Sequence, residues 1–392
     1  MLLTLAVENY RSLRRLVLPL RPMTVVTGAN GTGKSSLYRA LRLLADSSRN
    51  GAVAALAREG GLPSTLWAGP EHLGRSVREG RHPVQGTVRS APVSLRLGFA
   101  SDDFGYAMDL GLPVPSRAAF GLDPEIKSAC TGGGRVLRRP TTLTERTGAA
   151  VRLRRPDGAW QVVAHTLRPF DSMLSELADP QHAPELLALR DRMRSWRFYD
   201  HVRTDAQAPA RSAQIGTRTP VLSHDGADLA AALQTIREIG DDEALTNAVE
   251  SAFPGGRVEI VNRAGRFELT FHQHGLLRPM GSAELSDGTL RYLLWVAALL
   301  TPRPPELLVL NEPETSLHPE LLVPLAELML AASARAQIVA VTHSAPLVRA
   351  LERGAADGRA DLATFELAKE FGRSHVLGQE SLDEPAWRWP KR

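Results

Sequence analysis

The stretch of this chain best suited to hold a phosphate is Gly28-Ala29-Asn30-Gly31-Thr32-Gly33-Lys34-Ser35. Its spacing of glycines, lysine and serine is that of a loop which wraps a phosphate chain. The glycines let backbone N–H groups close around phosphate oxygens, where side chains would obstruct them. Lys34 can reach the β- and γ-phosphates, the Ser35 hydroxyl can ligate Mg²⁺, and Ser36 can donate to a further phosphate oxygen. Such a loop needs a strand before it and a helix N-terminus behind it, whose partial positive charge adds to the attraction. Both are legible. Met23-Thr24-Val25-Val26-Thr27 is short, apolar and β-branched, and Ser36 to Leu44 places apolar residues at helical spacing.

More chemistry lies beyond residue 280. Leu307 to Leu310 read as a buried strand, with Asn311 and Glu312 at its C-terminal end, where α/β sheets place their reactive groups. Glu312 can orient or deprotonate a water attacking a γ-phosphate, and Asn311 can hold Mg²⁺ through a water. Thr315-Ser316-Leu317-His318-Pro319 turns the chain into a helix starting near Glu320. Gln337 to Ser344 is a second buried strand, ending in His343. That place lets the imidazole touch a γ-phosphate, and it also suits a structural histidine. Glu284 to Arg291 precedes an apolar helix, Tyr292 to Leu300. Ser286 is a good N-cap and Gly288 allows close backbone approach, and a capped helix start accounts for both as well.

The remaining elements can be taken in order. Residues 3–9 and 14–20 read as strands joined around Arg11-Ser12-Leu13, and Ala52 to Glu59 as a short helix before the turn Gly60-Gly61-Leu62-Pro63. From about 83 to 165 the alternation is that of strands: Val93 to Phe99, Phe104 to Leu110, then Val151 to Arg154 and Trp160 to Val163 around Arg155-Pro156-Asp157-Gly158. Gly132-Gly133-Gly134 marks a loop. Met173 to Arg197 turns helical, interrupted at Pro180, and a second helix runs from Ala227 to about Ile239. Residues 257–261 and 266–272 form a hairpin around Asn262-Arg263-Ala264-Gly265. No repeat and no sustained heptad pattern is present, which argues against a long coiled-coil arm.

Composition bounds the class. The 392 residues are 43% hydrophobic, enough for a sizeable core. Leu293 to Leu300 is the longest apolar run and far too short to span a bilayer. Met1 to Tyr10 reads as a strand, without the basic start and small-residue cleavage site of a signal peptide. A single cysteine, Cys130, rules out an intramolecular disulfide and suits a reducing cytoplasm. A net charge of +4 permits contact with nucleic acid without demanding it.

These motifs, in this order, resemble the ABC-type ATPase head, and more closely the RecF/SMC-like AAA family ATPases, single-head relatives of the OLD-type proteins. Gly28 to Ser35 matches the Walker A loop, and Leu285-Ser286-Asp287-Gly288 resembles the ABC signature. Leu307 to Glu312 matches Walker B with its catalytic glutamate, Ser316-Leu317-His318-Pro319 the D-loop, and His343 the switch histidine. The likeness extends to Tyr199 with Asp225-Gly226-Ala227-Asp228-Leu229 and to Trp387-Arg388-Trp389-Pro390, and thins out in the middle of the chain. It implies an α/β fold: an ABC-type P-loop NTPase head with a mixed central sheet, an antiparallel β-layer and a helical insertion. Residues 1–72 would be the P-loop lobe, 73–165 the β-layer, 166–253 a helical arm or lid, and 254–392 the signature, Walker B and switch lobe of the same discontinuous head. The implied cofactors are ATP and Mg²⁺. Asn30, Gly31, Gly33, Lys34, Ser35, Ser36, Ser286 and Gly288 would surround the nucleotide. Ser35 and Asn311 would serve the metal, and Glu312, His343 and Lys34 the chemistry. Two departures stand out. Asn311 replaces the usual Walker B aspartate, keeping an oxygen but not the charge. No glutamine is assigned to the Q-loop, with Gln85 and Gln161 as candidates.

The resemblance further implies a homodimer formed head-to-tail on ATP binding, with Ser286 and the Gly288 backbone capping the nucleotide of the partner. It places the protein in DNA repair or phage defence, in the cytoplasm and away from membranes. Arg135, Arg138, Arg139, Arg146, Arg152, Arg154 and Arg155 can track DNA phosphates, or form a solvated arginine-rich face. The alternative is a nucleotide-gated regulatory scaffold for a separate effector protein, with little turnover because of Asn311. A transporter ATPase subunit is set aside, since the signature and Walker B regions resemble the RecF/SMC side. OLD-type proteins add a C-terminal nuclease domain. Here the about fifty residues after His343 read as a helix, Ala345 to Arg353, and a hairpin around Glu370-Phe371-Gly372-Arg373, without an acidic metal cluster. The expectation is an ATPase without intrinsic nuclease.

Overall fold

The computed structural model describes residues 1–49, 51–69, 92–115, 117, 119–177, 181, 183–200, 202–380 and 383–391. Gln85, the expected break at Pro180 and the 72/73 boundary's surroundings beyond residue 69 lie outside them. The chain runs through β1 (Leu2–Tyr10), β2 (Leu13–Pro19), β3 (Met23–Gly28) and α1 (Lys34–Ser47), then α2 (Ala52–Arg58) and α3 (Leu62–Thr65). Next come β4 (Leu95–Ser101), β5 (Phe104–Gly111), β6 (Glu125–Gly133), β7 (Thr142–Thr147), β8 (Ala150–Arg154) and β9 (Trp160–Ala164), followed by α4 (Met173–Glu176) and α5 (Pro184–Ser195). After β10 (Arg197–Tyr199) and β11 (Gln214–Ile215) come α6 (Leu229–Ile239), α7 (Asp242–Ala252), β12 (Arg257–Arg263), β13 (Arg266–His272) and β14 (Met280–Gly281). The last stretch is α8 (Asp287–Leu299), β15 (Leu307–Asn311), α9 (Leu322–Ser333), β16 (Gln337–Val341), α10 (Ala345–Ala356), β17 (Leu362–Glu370) and β18 (Arg373–Val376). Among the described residues no helix is long and apolar enough to cross a membrane.

These elements gather into two compact units. The first holds Met1–Leu20, Thr27–Ser195 and Phe365–Arg392; the second holds Arg21–Val26 and Trp196–Thr364. β3 and β17 each begin in the second unit and end in the first.

The first unit is built on an antiparallel sheet in the order β2-β1-β4-β5-β6-β7-β8-β9. β1 and β2 pair from Thr4↔Pro19 to Tyr10↔Leu13, and Arg11, at φ 52°, makes the turn between them. α1 buries Leu37, Leu41 and Leu44, spaced so that one helix face is apolar. On β8, Val151 and Leu153 are buried while Arg152 and Arg154 face out, the two-residue period of a half-buried strand. Gly132 and Gly133, expected in a loop, are the last residues of β6, and the turn comes one residue later at Gly134, with φ 80°. A Cβ on Gly132 would stand 2.7 Å from the Leu137 side chain and 3.0 Å from the Thr141 carbonyl oxygen, so the glycine permits close packing within the sheet. The hairpin expected around Glu370 to Arg373 is present as β17 and β18, paired from Leu367↔Val376 to Glu370↔Arg373.

The second unit holds four parallel strands in the order β10-β15-β16-β3. Their side chains are nearly all apolar and buried, as suits strands covered on both faces. Trp295 on α8 anchors the core. It is 1% exposed, its Nε1 donates to the Pro313 carbonyl at 2.9 Å, and its ring meets Tyr199 edge-on at 6.2 Å. Tyr199 in turn donates to the Leu222 carbonyl at 2.8 Å. Asp228 accepts from the N–H and hydroxyl of Ser223, which knots the turn before α6. That helix starts at Leu229 rather than Ala227, because Gly226 takes φ 70°. α7 went unread in the sequence; Asp241 caps it, accepting from the Ala244 N–H at 2.8 Å. The expected hairpin at 257–272 is β12 with β13, and β11 and β14 both pair with β13.

Cys130 lies on β6, 5% exposed, and burial pushes its thiol up to about 12, with the nearby Glu145 charge acting in the same direction. The thiolate that alkylating agents need is then scarce near neutrality. Iodoacetamide at pH 8 is expected to leave Cys130 unmodified in the native protein and to label it after unfolding in guanidinium, as read by mass spectrometry. Rapid labelling of the native protein would contradict this packing of β6.

Candidate functional site

In the first unit, β3 ends at Gly28 and α1 begins at Lys34, so the intervening loop leads straight into a helix N-terminus. Gly28, Gly31 and Gly33 take φ 140°, 79° and 105°. A Cβ on Gly28 would stand 2.3 Å from the Leu367 carbonyl oxygen, and one on Gly33 would stand 2.4 Å from Ser374 Oγ and 2.8 Å from Ser12 Oγ. Those two glycines are demanded by conformation and by close neighbours together. Gly31 has open space around it, and Ala29, Asn30, Gly31 and Ser35 are exposed. Lys34 is 6% exposed, and its ammonium donates to the carbonyls of Gly28 at 2.6 Å and Ala29 at 2.9 Å. Thr32 donates to the same Ala29 carbonyl at 2.8 Å. The loop thus closes on its own lysine, with neutral carbonyls in the places where phosphate oxygens would be the stronger acceptors. Ser36 is buried at 9% exposure directly behind the loop.

In the second unit, Ser286 caps α8, its Oγ accepting from the Thr289 N–H at 3.1 Å. The cap expected from sequence is therefore present. A Cβ on Gly288 would meet the Ser316 carbonyl oxygen at 2.9 Å, so the start of α8 packs against the turn that matches the D-loop. Ser316 itself takes φ 64°. Ser286, Gly288 and Thr289 with Ser316 to Leu321 line an open hollow of about 590 Å³. Arg211 holds this corner together and was missed in the sequence. Its side chain is 9% exposed and pairs with Asp287 at 2.6 Å. It also donates to the carbonyls of Leu285 at 2.7 Å and Thr204 at 2.9 Å. Nothing in the sequence near Arg211 distinguishes it from the chain's other arginines.

The same unit brings three more groups together. Glu312, the first residue past β15, takes φ 49° and donates its N–H to the Val341 carbonyl at 2.7 Å. Its Oε1 lies 3.6 Å from His343 Nδ1, and both side chains are partly exposed. Glu314 is 7% exposed. Its Oε1 accepts from the Thr342 hydroxyl at 2.6 Å and the His343 N–H at 3.0 Å, and lies 3.2 Å from His343 Nδ1. Glu314 was not singled out in the sequence; its signal is a second carboxylate one proline beyond Glu312. Asn311 Oδ1 and Glu314 Oε2 are buried and without a hydrogen-bond partner among the described residues. A buried acceptor left unused is costly, and a metal-bound water donating to Asn311 would satisfy it. The donor set at Asn311 therefore fits the Mg²⁺ role read from sequence.

Some candidates are placed otherwise. Arg146 is buried on β7 and donates to the carbonyls of Gly148, Arg168 and Asp171, so it braces the fold and offers nothing to a phosphate. Burial lowers its pKa. Gln161 sits on the edge strand β9, exposed, accepting from Arg155 at 2.9 Å.

The family model described as "AAA domain, putative AbiEii toxin, Type IV TA system" matches residues 23–350. The chain belongs to that family, and the RecF/SMC-like reading of the motifs holds at the level of a nucleotide-binding, AAA-type ATPase domain on a mixed α/β fold. No curated protein matches it. Among solved structures, an Smc head bound to the C-winged helix domain of ScpA is 13% identical, with a TM-score of 0.49 over 96% of each chain. The SMC head domain from Thermotoga maritima is 14% identical, with a TM-score of 0.46 over 97% of this chain and 99% of that one. An Smc head with an extended coiled coil, bound to the C-terminal domain of ScpA and derived from Pyrococcus furiosus, is 12% identical, with a TM-score of 0.45 over 96% and 95%.

The role of Glu314 can be measured. Glu314→Ala leaves the Thr342 hydroxyl and the His343 N–H without their acceptor and is expected to lower stability by about 1–3 kcal/mol in denaturant melts. Glu314→Gln keeps an acceptor oxygen and should lose clearly less. Equal losses in the two variants would show that these hydrogen bonds do not hold the end of β16.

Proposed function

Proceeding from that membership, we propose that the protein binds and hydrolyses ATP with Mg²⁺ and dimerises head-to-tail around the nucleotide, acting on DNA in repair or in defence against phage. The observation that carries the reading is the register of three parallel strands in the second unit. Val26 of β3 pairs with Val341 of β16, which pairs with Asn311 of β15. β15 and β16 end at that level, at Asn311 and Val341, and lead into Glu312 and into Thr342-His343, while β3 runs on past Val26 to Gly28, where the loop to Ser35 begins. In this reading the N–H groups of Asn30, Gly31, Gly33, Ser35 and Ser36 hold the triphosphate, and Lys34 leaves its two carbonyls for the β- and γ-phosphates. Ser35 and, through a water, Asn311 hold Mg²⁺, which supplies charge neutralisation at the phosphate oxygens. Glu312 accepts the proton of the attacking water as the bond from the γ-phosphorus to the bridging oxygen breaks, and His343 contacts the γ-phosphate. The hollow beside Ser286 and Gly288 supports the dimer, since it leaves those groups at an open surface where a second copy's nucleotide can reach them. Hydrolysis would remove that shared contact and loosen the pair.

One observation favours a second reading, a nucleotide-gated scaffold for an effector protein. Asn311 is neutral at the place where a charged ligand would hold the metal more strongly. Turnover measurements with and without duplex and single-stranded DNA separate the two. The first reading expects turnover that rises with DNA, falls about 100-fold or more in Glu312→Gln, and is abolished with nucleotide binding in Lys34→Ala. It also expects Glu312→Gln to elute as a dimer with ATP and as a monomer without it. Tight ATP binding without turnover, indifferent to DNA, establishes the scaffold instead.

A further inference from the structure

The tryptophan-rich end of the chain has a place within the first unit. The segment after β18 is tied down by an ion pair between Arg15 and Glu384 at 2.7 Å and by Gln379 Nε2 donating to the Val17 carbonyl. Trp387 then packs against Gly98 of β4, where a Cβ would stand 2.5 Å from the indole. Trp387 and Trp389 meet edge-to-face at 5.2 Å and pack against Ala107 and Cys130 of the sheet and Leu137 of the connection between β6 and β7.

Beside it lies a groove of about 770 Å³, formed by β6 to β9 and the tail. Its walls carry Arg138 and Arg139 from the turn before β7, Arg152 and Arg154 from β8, and Arg388 and Lys391 from the tail. Glu145 is the one carboxylate among its described lining residues, and it is taken up by Arg152 at 2.6 Å. Two indoles share the lining. Trp160 has the Arg152 guanidinium over its ring at 5.0 Å, and Trp389 faces the groove from the tail. Cations in such excess would repel one another in a structure that offered them no anion.

We propose that this groove binds single-stranded nucleic acid, with phosphates on the arginines and bases stacked on Trp389 and Trp160. A single strand carries anionic phosphates together with exposed π-faces, and the groove lines one hollow with guanidinium groups and two indoles. A duplex presents phosphates but hides the base faces, and a flat anionic surface would meet only the rim. The inference deepens the DNA part of the reading above and rests on it for the class of partner alone, because none of these residues belongs to the nucleotide loop.

The test is fluorescence anisotropy with a labelled oligo-dT, a duplex of equal length and heparin as competitor, on wild-type protein, Arg138→Glu/Arg139→Glu, Trp389→Ala and Lys34→Ala. Expected is oligo-dT binding tighter than duplex binding, weakening linearly with the logarithm of salt. The arginine double variant should lose about tenfold or more and show a shallower salt slope, and Trp389→Ala should lose about tenfold while keeping the wild-type slope. Lys34→Ala should bind oligo-dT as the wild type does, so a failure of the ATPase reading leaves this result standing, and the reverse also holds. Absence of binding at low salt overturns the inference. So does binding unchanged in both groove variants, or equal affinity for duplex and heparin with no effect of Trp389→Ala.

Discussion

The second unit turns on one buried carboxylate. Glu314 lies on the turn after β15, yet its Oε1 is bonded to the two residues that follow β16. The strand pair sets the level of the two ends, and the carboxylate fixes the angle at which each chain leaves. Glu312 is forced into positive φ by the same arrangement, because its N–H reaches the Val341 carbonyl while the next residues must fold back to bring Glu314 inward. A non-glycine residue held there stores strain, and a site that keeps such strain has a packed surrounding to enforce it. Trp295 supplies it, gripping the Pro313 carbonyl from α8. Two elements that match the signature and Walker B in sequence are thereby coupled through one indole.

Strong local patterns made much of this legible. The phosphate loop, its strand and its helix follow from residues within a span of about twenty, and the strands β15 and β16 from runs of apolar residues bounded by polar turns. Ser286 was readable as a cap because capping is a contact between residues three apart. Much of what failed to show depended on distant partners. Arg211 earns its position from Asp287 and Leu285, more than seventy residues away in sequence. Arg146 looks like its neighbours on β7 and β8 until the carbonyls of 168 and 171 are brought to it. β6 and β7 carry Glu, Lys, Thr and Arg in place of an apolar alternation, so a two-residue period is hard to see in them. The groove of the first unit falls in the same class, since it joins β-layer arginines to a tail more than two hundred residues on.

The exchange of charge for an amide at Asn311 has a physical context in these distances. Glu312 and Glu314 already bring two carboxylates to the side of His343, at 3.6 and 3.2 Å. A third acidic group at Asn311 would add repulsion in a corner where one oxygen of Glu314 is buried and has no hydrogen-bond partner among the described residues. With asparagine there, His343 faces two acids rather than three, and the buried Oδ1 remains an acceptor for a single donor. The amide thus spares the corner a third negative charge. The hydrogen bonds of Glu314 to Thr342 and His343 turn its Oε1 toward the end of β16. Of the groups in this corner it is the His343 imidazole that lies against the buried acid, its Nδ1 3.2 Å from Glu314 Oε1.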